Sequence, residues 1–165
     1  DVIIGPAFAD ADEISKRLGE NPRIHIHRAP ENPADIFSRA RLAVVSFGVT
    51  VYDLAALGVP ALYLGISPDH LRSAEGAEAL GFGRVLGLAP DIELGALARA
   101  IADLHADEKQ IAAMRLAGPA AIDGKGALLL AARIAEFILR PAESRQARRA
   151  PSQNTPPNRP QSARG

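Results

Sequence analysis

Short runs rich in Val, Ile and Leu alternate with helical patterns through the first half of the chain, and that alternation decides the fold class. The runs Val2–Gly5, Arg23–His27, Leu42–Phe47, Ala61–Ile66 and Arg84–Leu88 read as strands. Between them, about Asp10–Leu18, Pro33–Arg39, Val49–Leu57 and Leu71–Leu80 read as helices. Strands and helices of these lengths in alternation build βαβ units, and so a doubly wound, Rossmann-like α/β fold. Its parallel sheet carries helices on both faces. Composition agrees: 47% of residues are hydrophobic but only 4% aromatic. Ala, Leu, Val and Ile therefore fill the core, as they do where helices cover both faces of a parallel sheet. A chain of 165 residues holds one such domain but not two.

Beyond the last strand the pattern turns helical. Ile92–His105 and Glu108–Leu116 are two helices, with a break predicted at Gly118-Pro119. Asp123-Gly124-Lys125-Gly126 leads into a final helix to about Leu139, whose buried face would be Leu129, Ala132, Ile134, Phe137 and Ile138. The domain is taken as residues 1–140. Residues 141–165 hold five Pro, five Arg, one Glu and no large apolar side chain. Such a tail cannot bury enough surface to offset chain entropy, so it reads as disordered, basic and solvated.

Charge and cysteine content narrow the function classes. The formal net charge is zero, which argues against nucleic-acid or membrane-surface binding by the whole chain. With no cysteine, disulfides, thiolate metal sites and cysteine nucleophiles are excluded, in keeping with a cytoplasmic setting. No apolar run approaches the roughly 20 residues of a membrane span, and no secretory leader is visible. The first residues, Asp1-Val2-Ile3-Ile4-Gly5, already read as a buried strand, so the sequence is expected to be part of a longer protein.

The chemistry is concentrated in Ser46-Phe47-Gly48-Val49-Thr50-Val51-Tyr52-Asp53, followed by Leu57-Gly58-Val59-Pro60. A strand ends at Val45 or Ser46, a small turn holds Gly48, and a helix starts near Thr50. That puts a helix N-terminus at the carboxyl edge of a parallel sheet, where open α/β folds bind ligands. Free amides and the positive dipole end favour a phosphate there, and Gly48 permits close backbone approach. Ser46 and Thr50 can donate to phosphates, and the Asp53 carboxylate can accept both ribose hydroxyls. The competing reading is structural: Thr50-x-x-Asp53 has the spacing of a capping box, with Asp in place of Glu or Gln. Gly58-Val59-Pro60 is an ordinary helix stop.

This run resembles the small-Gly-x-Thr…acid…Gly-x-Pro signature in the C-terminal domains of GT-B enzymes. It is most similar to the pseudaminic-acid-pathway UDP-sugar hydrolase and the related spore-coat polysaccharide biosynthesis group, and more distantly to the UDP-GlcNAc transferase that makes lipid II. Three further stretches resemble that pattern in order. They are Val2-Ile3-Ile4-Gly5-Pro6-Ala7-Phe8, the stretch from Arg23 through Asn32, Ile36 and Ala40 to Leu42, and Asp123-Gly124-Lys125-Gly126-Ala127. The chain departs from the pattern at Asp53, where Glu is usual, at Asp69-His70, where Asn-Gln is frequent, and at Arg41, where Asp is frequent. The resemblance implies a GT-B C-terminal domain, lacking its first strand and the glycine-rich loop after it, that binds a UDP-sugar or related nucleotide-sugar. Its acid binds the ribose and its glycine turn faces the diphosphate. It further implies hydrolysis or transfer at the anomeric carbon, in surface-polysaccharide or nonulosonic-acid biosynthesis. The catalytic acid/base, a His in the hydrolase, would lie in a separate N-terminal GT-B domain. The expected substrate-binding residues are thus Ser46, Gly48, Thr50, Asp53 and His70, with no catalytic residue assigned and no cofactor. The alternative is a non-catalytic binding or interaction module that kept the fold and lost the ligand.

Other candidates have plainer readings. His25 and His27, two apart in a strand, would share a face, but no third ligand has fitting spacing and no metal is expected. His70, at a strand–helix junction, is either a substrate contact or a solvated helix-start residue. Asp10-x-x-Glu13 reads as a helix cap, Asp12 as a first-turn partner of the helix dipole, and Lys125 as a solvated first-turn lysine.

Overall fold

A computed structural model describes residues 1–139. The expected tail, 141–165, lies outside the described residues. Residues 1–124 form one compact unit, and the last helix belongs to a second.

Within the first unit the elements alternate as expected: β1 (Val2–Ile4), α1 (Ala11–Gly19), β2 (Ile26–Arg28), α2 (Ala34–Phe37), β3 (Ala43–Ser46), α3 (Thr50–Ala56), β4 (Ala61–Gly65), α4 (Pro68–Ala79) and β5 (Gly83–Leu88). Two helices follow, α5 (Leu94–Ala106) and α6 (Glu108–Ala121). Every ladder is parallel. The strands lie in two sheets: β1 pairs with β2, and β3, β4 and β5 pair in that order. The fold is thus Rossmann-like α/β, with parallel strands flanked by helices.

The three-stranded sheet is covered on both faces, and alternation along β4 shows how. Tyr63, fully buried, joins Val51, Leu54, Ala55, Ala74, Ala77 and Phe82 beneath α3 and α4. Its neighbour Leu62 points the opposite way, into a cluster with Ala100, Leu104, Ile111 and Met114 of α5 and α6. Burial drives the Tyr63 phenol far above its usual pKa; its hydroxyl donates to the Phe82 carbonyl at 3.4 Å. Gly83 makes room for that ring, since a Cβ there would lie 2.0 Å from it.

Local chemistry explains the end of α3 and the start of α4. Gly58 has φ +66° and closes α3 as a Schellman motif, its N–H donating to Ala55 and that of Val59 to Leu54. Helix α4 starts at Pro68, earlier than the expected Leu71. Ser67 caps it by accepting from the His70 amide, and proline is favoured at the first helical position because its absent N–H has no role there. α1 turns Ala11, Ile14, Ser15 and Leu18 inward and its other side chains to solvent, the spacing of one helical face.

Two helical expectations are corrected. No break occurs at Gly118-Pro119, because α6 runs through both to Ala121. Proline denies the Arg115 carbonyl an i+4 donor, but here the disruption is accommodated at a contact with α3. The Arg115 oxygen lies 2.9 Å from where a Cβ on Gly58 would sit, and the Pro119 ring lies beside it. Gly118, also buried, lets the Ala55 backbone approach. The second correction concerns the final helix, α7 (Gly126–Leu139), in which no residue is buried. Its expected inner positions are exposed, Leu129 at 60% and Phe137 at 64%. Leu128, Leu129 and Leu130 are consecutive, so the apolar side chains spread around the helix and do not form a single stripe. No helix among the described residues is long and apolar enough to cross a membrane.

Candidate functional site

The carboxyl ends of β3 and β4 lie side by side. Ser46 pairs in register with Leu64, and the Phe47 amide donates to the Leu64 carbonyl at 2.9 Å. The Phe47–Val49 turn therefore rises next to Gly65, Ile66 and Ser67 at the head of α4. Phe47 anchors the turn: its buried ring meets Tyr63 edge-on at 5.7 Å and Tyr52 at 6.4 Å. Around this anchor Ser46, Gly48 and Val49 are exposed, and Thr50 is half-buried.

The geometry removes the capping-box reading of Thr50-x-x-Asp53. The residue in the cap position is Val49, itself helical in conformation, and no side chain caps the helix. Tight turns carry the chain in, with the Val51 amide donating to Gly48 and that of Tyr52 to Val49. The amides of Gly48, Val49 and Thr50 have no acceptor among the described residues. The Asp53 carboxylate, exposed, takes part in none of the ion pairs there.

Asp53 faces sideways. It lines a cleft of about 390 Å³ with Ala56 and Leu57 of α3 and with Asn32, Pro33, Ala34 and Phe37 at the start of α2. The α2 side of the cleft follows β2, whereas on α3 the cleft runs from Asp53 to the end of the helix at Ala56 and Leu57. Ser46, Gly48, Thr50 and His70 do not line it. The five expected residues thus separate into a turn (Ser46, Gly48, Thr50), a cleft wall (Asp53), and His70 in the first turn of α4. His70 is half-buried, and its Nδ1 is shielded from water without a hydrogen-bond partner. Its neighbour Asp69 pairs with Arg72 on the same helix. The start of α2 is a wall that the sequence signalled only through Asn32.

Three other polar positions have structural roles. Arg41 enters at the opposite, amino end of β3. It donates to the His105 carbonyl at 2.9 Å and to Glu108 at 2.6 Å, tying the strand to the α5–α6 junction. His27 pairs with Asp1 at 2.8 Å, and His25 lies outside β2; among the described residues no cluster of His, Asp or Glu could hold a metal. Asp10 occupies the cap position of α1 but makes no side-chain cap bond. Asp12 turns instead to Arg28 at 2.6 Å.

No protein-family model matches the chain, and no curated protein does. Among solved structures it is similar to the glycotransferase of kitacinnamycin, with a TM-score of 0.50 and 22% identity, over 62% of this chain and 28% of that one. The chain thus spans well under a third of that enzyme's length. Identity at this level speaks to architecture alone, here an α/β fold of parallel strands flanked by helices. The chain has a glycosyltransferase-like, Rossmann-type α/β fold.

Proposed function

We propose that this chain is the nucleotide-sugar-binding half of a GT-B enzyme that hydrolyses or transfers the sugar of a UDP-sugar, as the resemblance of its Ser46–Pro60 run to the pseudaminic-acid-pathway hydrolase and spore-coat polysaccharide groups implies. The observation that carries the reading is the position of Asp53: an unpaired carboxylate on the wall of a cleft, one helical turn from a loop with three free amides. A ribose held by Asp53 would direct its base toward Asn32 and the start of α2. Its phosphates would run toward Gly48, Val49 and Thr50, where the amides and the Ser46 and Thr50 hydroxyls stabilise negative charge. The sugar would extend toward His70. These groups bind and orient; the acid/base would come from the companion N-terminal domain. A chain that lacks transition-state contacts binds without turnover.

Titration of the chain with UDP, followed by amide chemical shifts, tests this. Changes should centre on Asn32, Gly48, Val49, Thr50 and Asp53, and Asp53→Ala should weaken binding by about 1.5–3 kcal/mol, the worth of a charge-assisted hydrogen bond. Shifts confined to other elements, or an unaltered affinity in the mutant, would refute the nucleotide reading. The alternative, an interaction module without a ligand, is favoured by Asp53 and His70, which stand where the resemblance has Glu and Gln. It predicts no response to UDP at all.

A further inference from the structure

A second cavity, of about 400 Å³, opens at the amino end of β5, whose outer edge is unpaired in its three-stranded sheet. Glu78, Gly83, Arg84, Gln110, Ala113 and Met114 line it, and none of these lines the Asp53 cleft. Ligands of open α/β sheets bind at the carboxyl ends of the strands, so the nucleotide reading does not absorb this cavity.

Three elements bring its polar groups together. Arg84 pairs in register with Leu62 and so lies on the α5–α6 face of the sheet, where α6 supplies Gln110, Ala113 and Met114. Glu78 comes from the last turn of α4, on the opposite face, and reaches the outer edge of the strand. One of its carboxylate oxygens accepts from the Val85 amide at 3.1 Å. Backbone groups alternate along a strand, so the Gly83 amide faces the same edge, and no acceptor meets it among the described residues.

The two charges in this cavity are opposite and do not pair. Among the described residues Arg84 is the one lysine or arginine that is half-buried with its charged group in neither a hydrogen bond nor an ion pair. A cation that has lost part of its hydration gains from a counter-charge. Glu78 lines the same cavity and keeps a second carboxylate oxygen without a donor, yet it forms no ion pair with Arg84. That separation suits a molecule that carries both charges itself. The rest of the α6 wall, Ala113 and the buried Met114, is apolar.

We propose that this cavity binds a free amino acid with an apolar side chain. Its carboxylate meets the Arg84 guanidinium, the Gln110 amide and the Gly83 N–H, its ammonium donates to the open Glu78 oxygen, and its side chain lies against Ala113 and Met114. The cavity shares no residue with the Asp53 cleft, so this site stands or falls independently of nucleotide binding.

Titration of the 165-residue chain with L-valine, followed by amide chemical shifts, tests the proposal beside two ligands that each lack one charge. Isovalerate is valine without its ammonium, and isobutylamine is valine without its carboxylate. L-valine should shift Gly83, Arg84, Val85 and Gln110 and leave Gly48, Thr50 and Asp53 in place. Each single-charge ligand should bind at least about 10-fold more weakly, the loss of one charge-assisted hydrogen bond. Arg84→Gln should weaken valine by a similar factor, as should Glu78→Gln, which keeps an oxygen for the Val85 amide. No shift at the four amides by about 50 mM L-valine, or either single-charge ligand binding as tightly as valine, would overturn the proposal, and neither result depends on a variant folding.

Discussion

Gly118→Ala tests the contact on which the candidate site rests. Alanine is the better helix former by about 0.8–1 kcal/mol, so on propensity alone the change should stabilise α6. Against this, the new Cβ would fall 2.4 Å from the Ala55 carbonyl oxygen and 3.1 Å from the Ala55 Cα and carbonyl carbon. The obstacle is the backbone of α3 and cannot rotate aside. Relief therefore needs the helices to separate by at least about 0.6 Å, the shortfall from a 3.0 Å contact. Separation would also loosen Pro119 and Arg115 from Gly58. Overpacking of this kind costs about 1–3 kcal/mol, and contact with rigid backbone puts it at the upper end. The net loss should be about 1–2 kcal/mol, a melting temperature lower by roughly 3–8 °C in a domain of this size. The assay is thermal unfolding followed by circular dichroism, with Gly76→Ala as the paired control. Gly76 is also helical, in α4, but a Cβ there meets nothing within 4 Å. Its substitution should stabilise by about 0.5–1 kcal/mol. If Gly118→Ala raised the melting temperature as Gly76→Ala does, the close approach of α6 to α3 would be wrong.

Three further outcomes follow from the same cores and the same cleft. Leu62→Ala empties a fully buried position between the sheet and α5–α6 and should cost about 2–5 kcal/mol in urea unfolding. Tyr63 carries a phenol whose folded pKa is raised by burial, so the folded state holds its proton longer than the unfolded chain. The stability this gives is intact below the unfolded value of about 10 and is lost as pH rises above it; Tyr63→Phe should flatten that alkaline decline in unfolding curves between pH 9 and 11. Asn32→Ala should weaken UDP binding without altering the melting temperature, since Asn32 is exposed at the cleft mouth; an unchanged affinity would move the base elsewhere.

The alternation of apolar runs with helical patterns was enough to read the fold class, the element order and the position of the candidate turn. These are properties of local periodicity and of punctuation such as Gly58-Val59-Pro60, whose Schellman closure uses only neighbouring residues. The final helix was legible as a helix for the same reason. Its inner face was not, because burial depends on what packs against a helix, and its own pattern of three consecutive leucines does not name a side. Gly118-Pro119 is the clearest case of tertiary structure overriding a local rule. In isolation the pair ends a helix, yet α6 continues because glycine admits the α3 backbone and Pro119 seats beside Gly58.

The site shows the same boundary. Its residue types and their place at the carboxyl edge came from the sequence, through strand ends and helix starts. Spacing alone could not distinguish a capping box from a ligand turn; the placement of Val49 as the cap residue decided it. Nor could spacing show that Asp53 would share a cleft with Asn32, far away in the chain, or that Arg41 would be anchored at the other end of its strand. Sequence determined which segments are strands, helices and turns, because hydrogen bonding and φ/ψ preferences act over a few residues. Only the tertiary structure decided which surfaces meet, which carboxylate stays unpaired and which strand edges stay open, because those depend on the packing of segments that no local preference encodes.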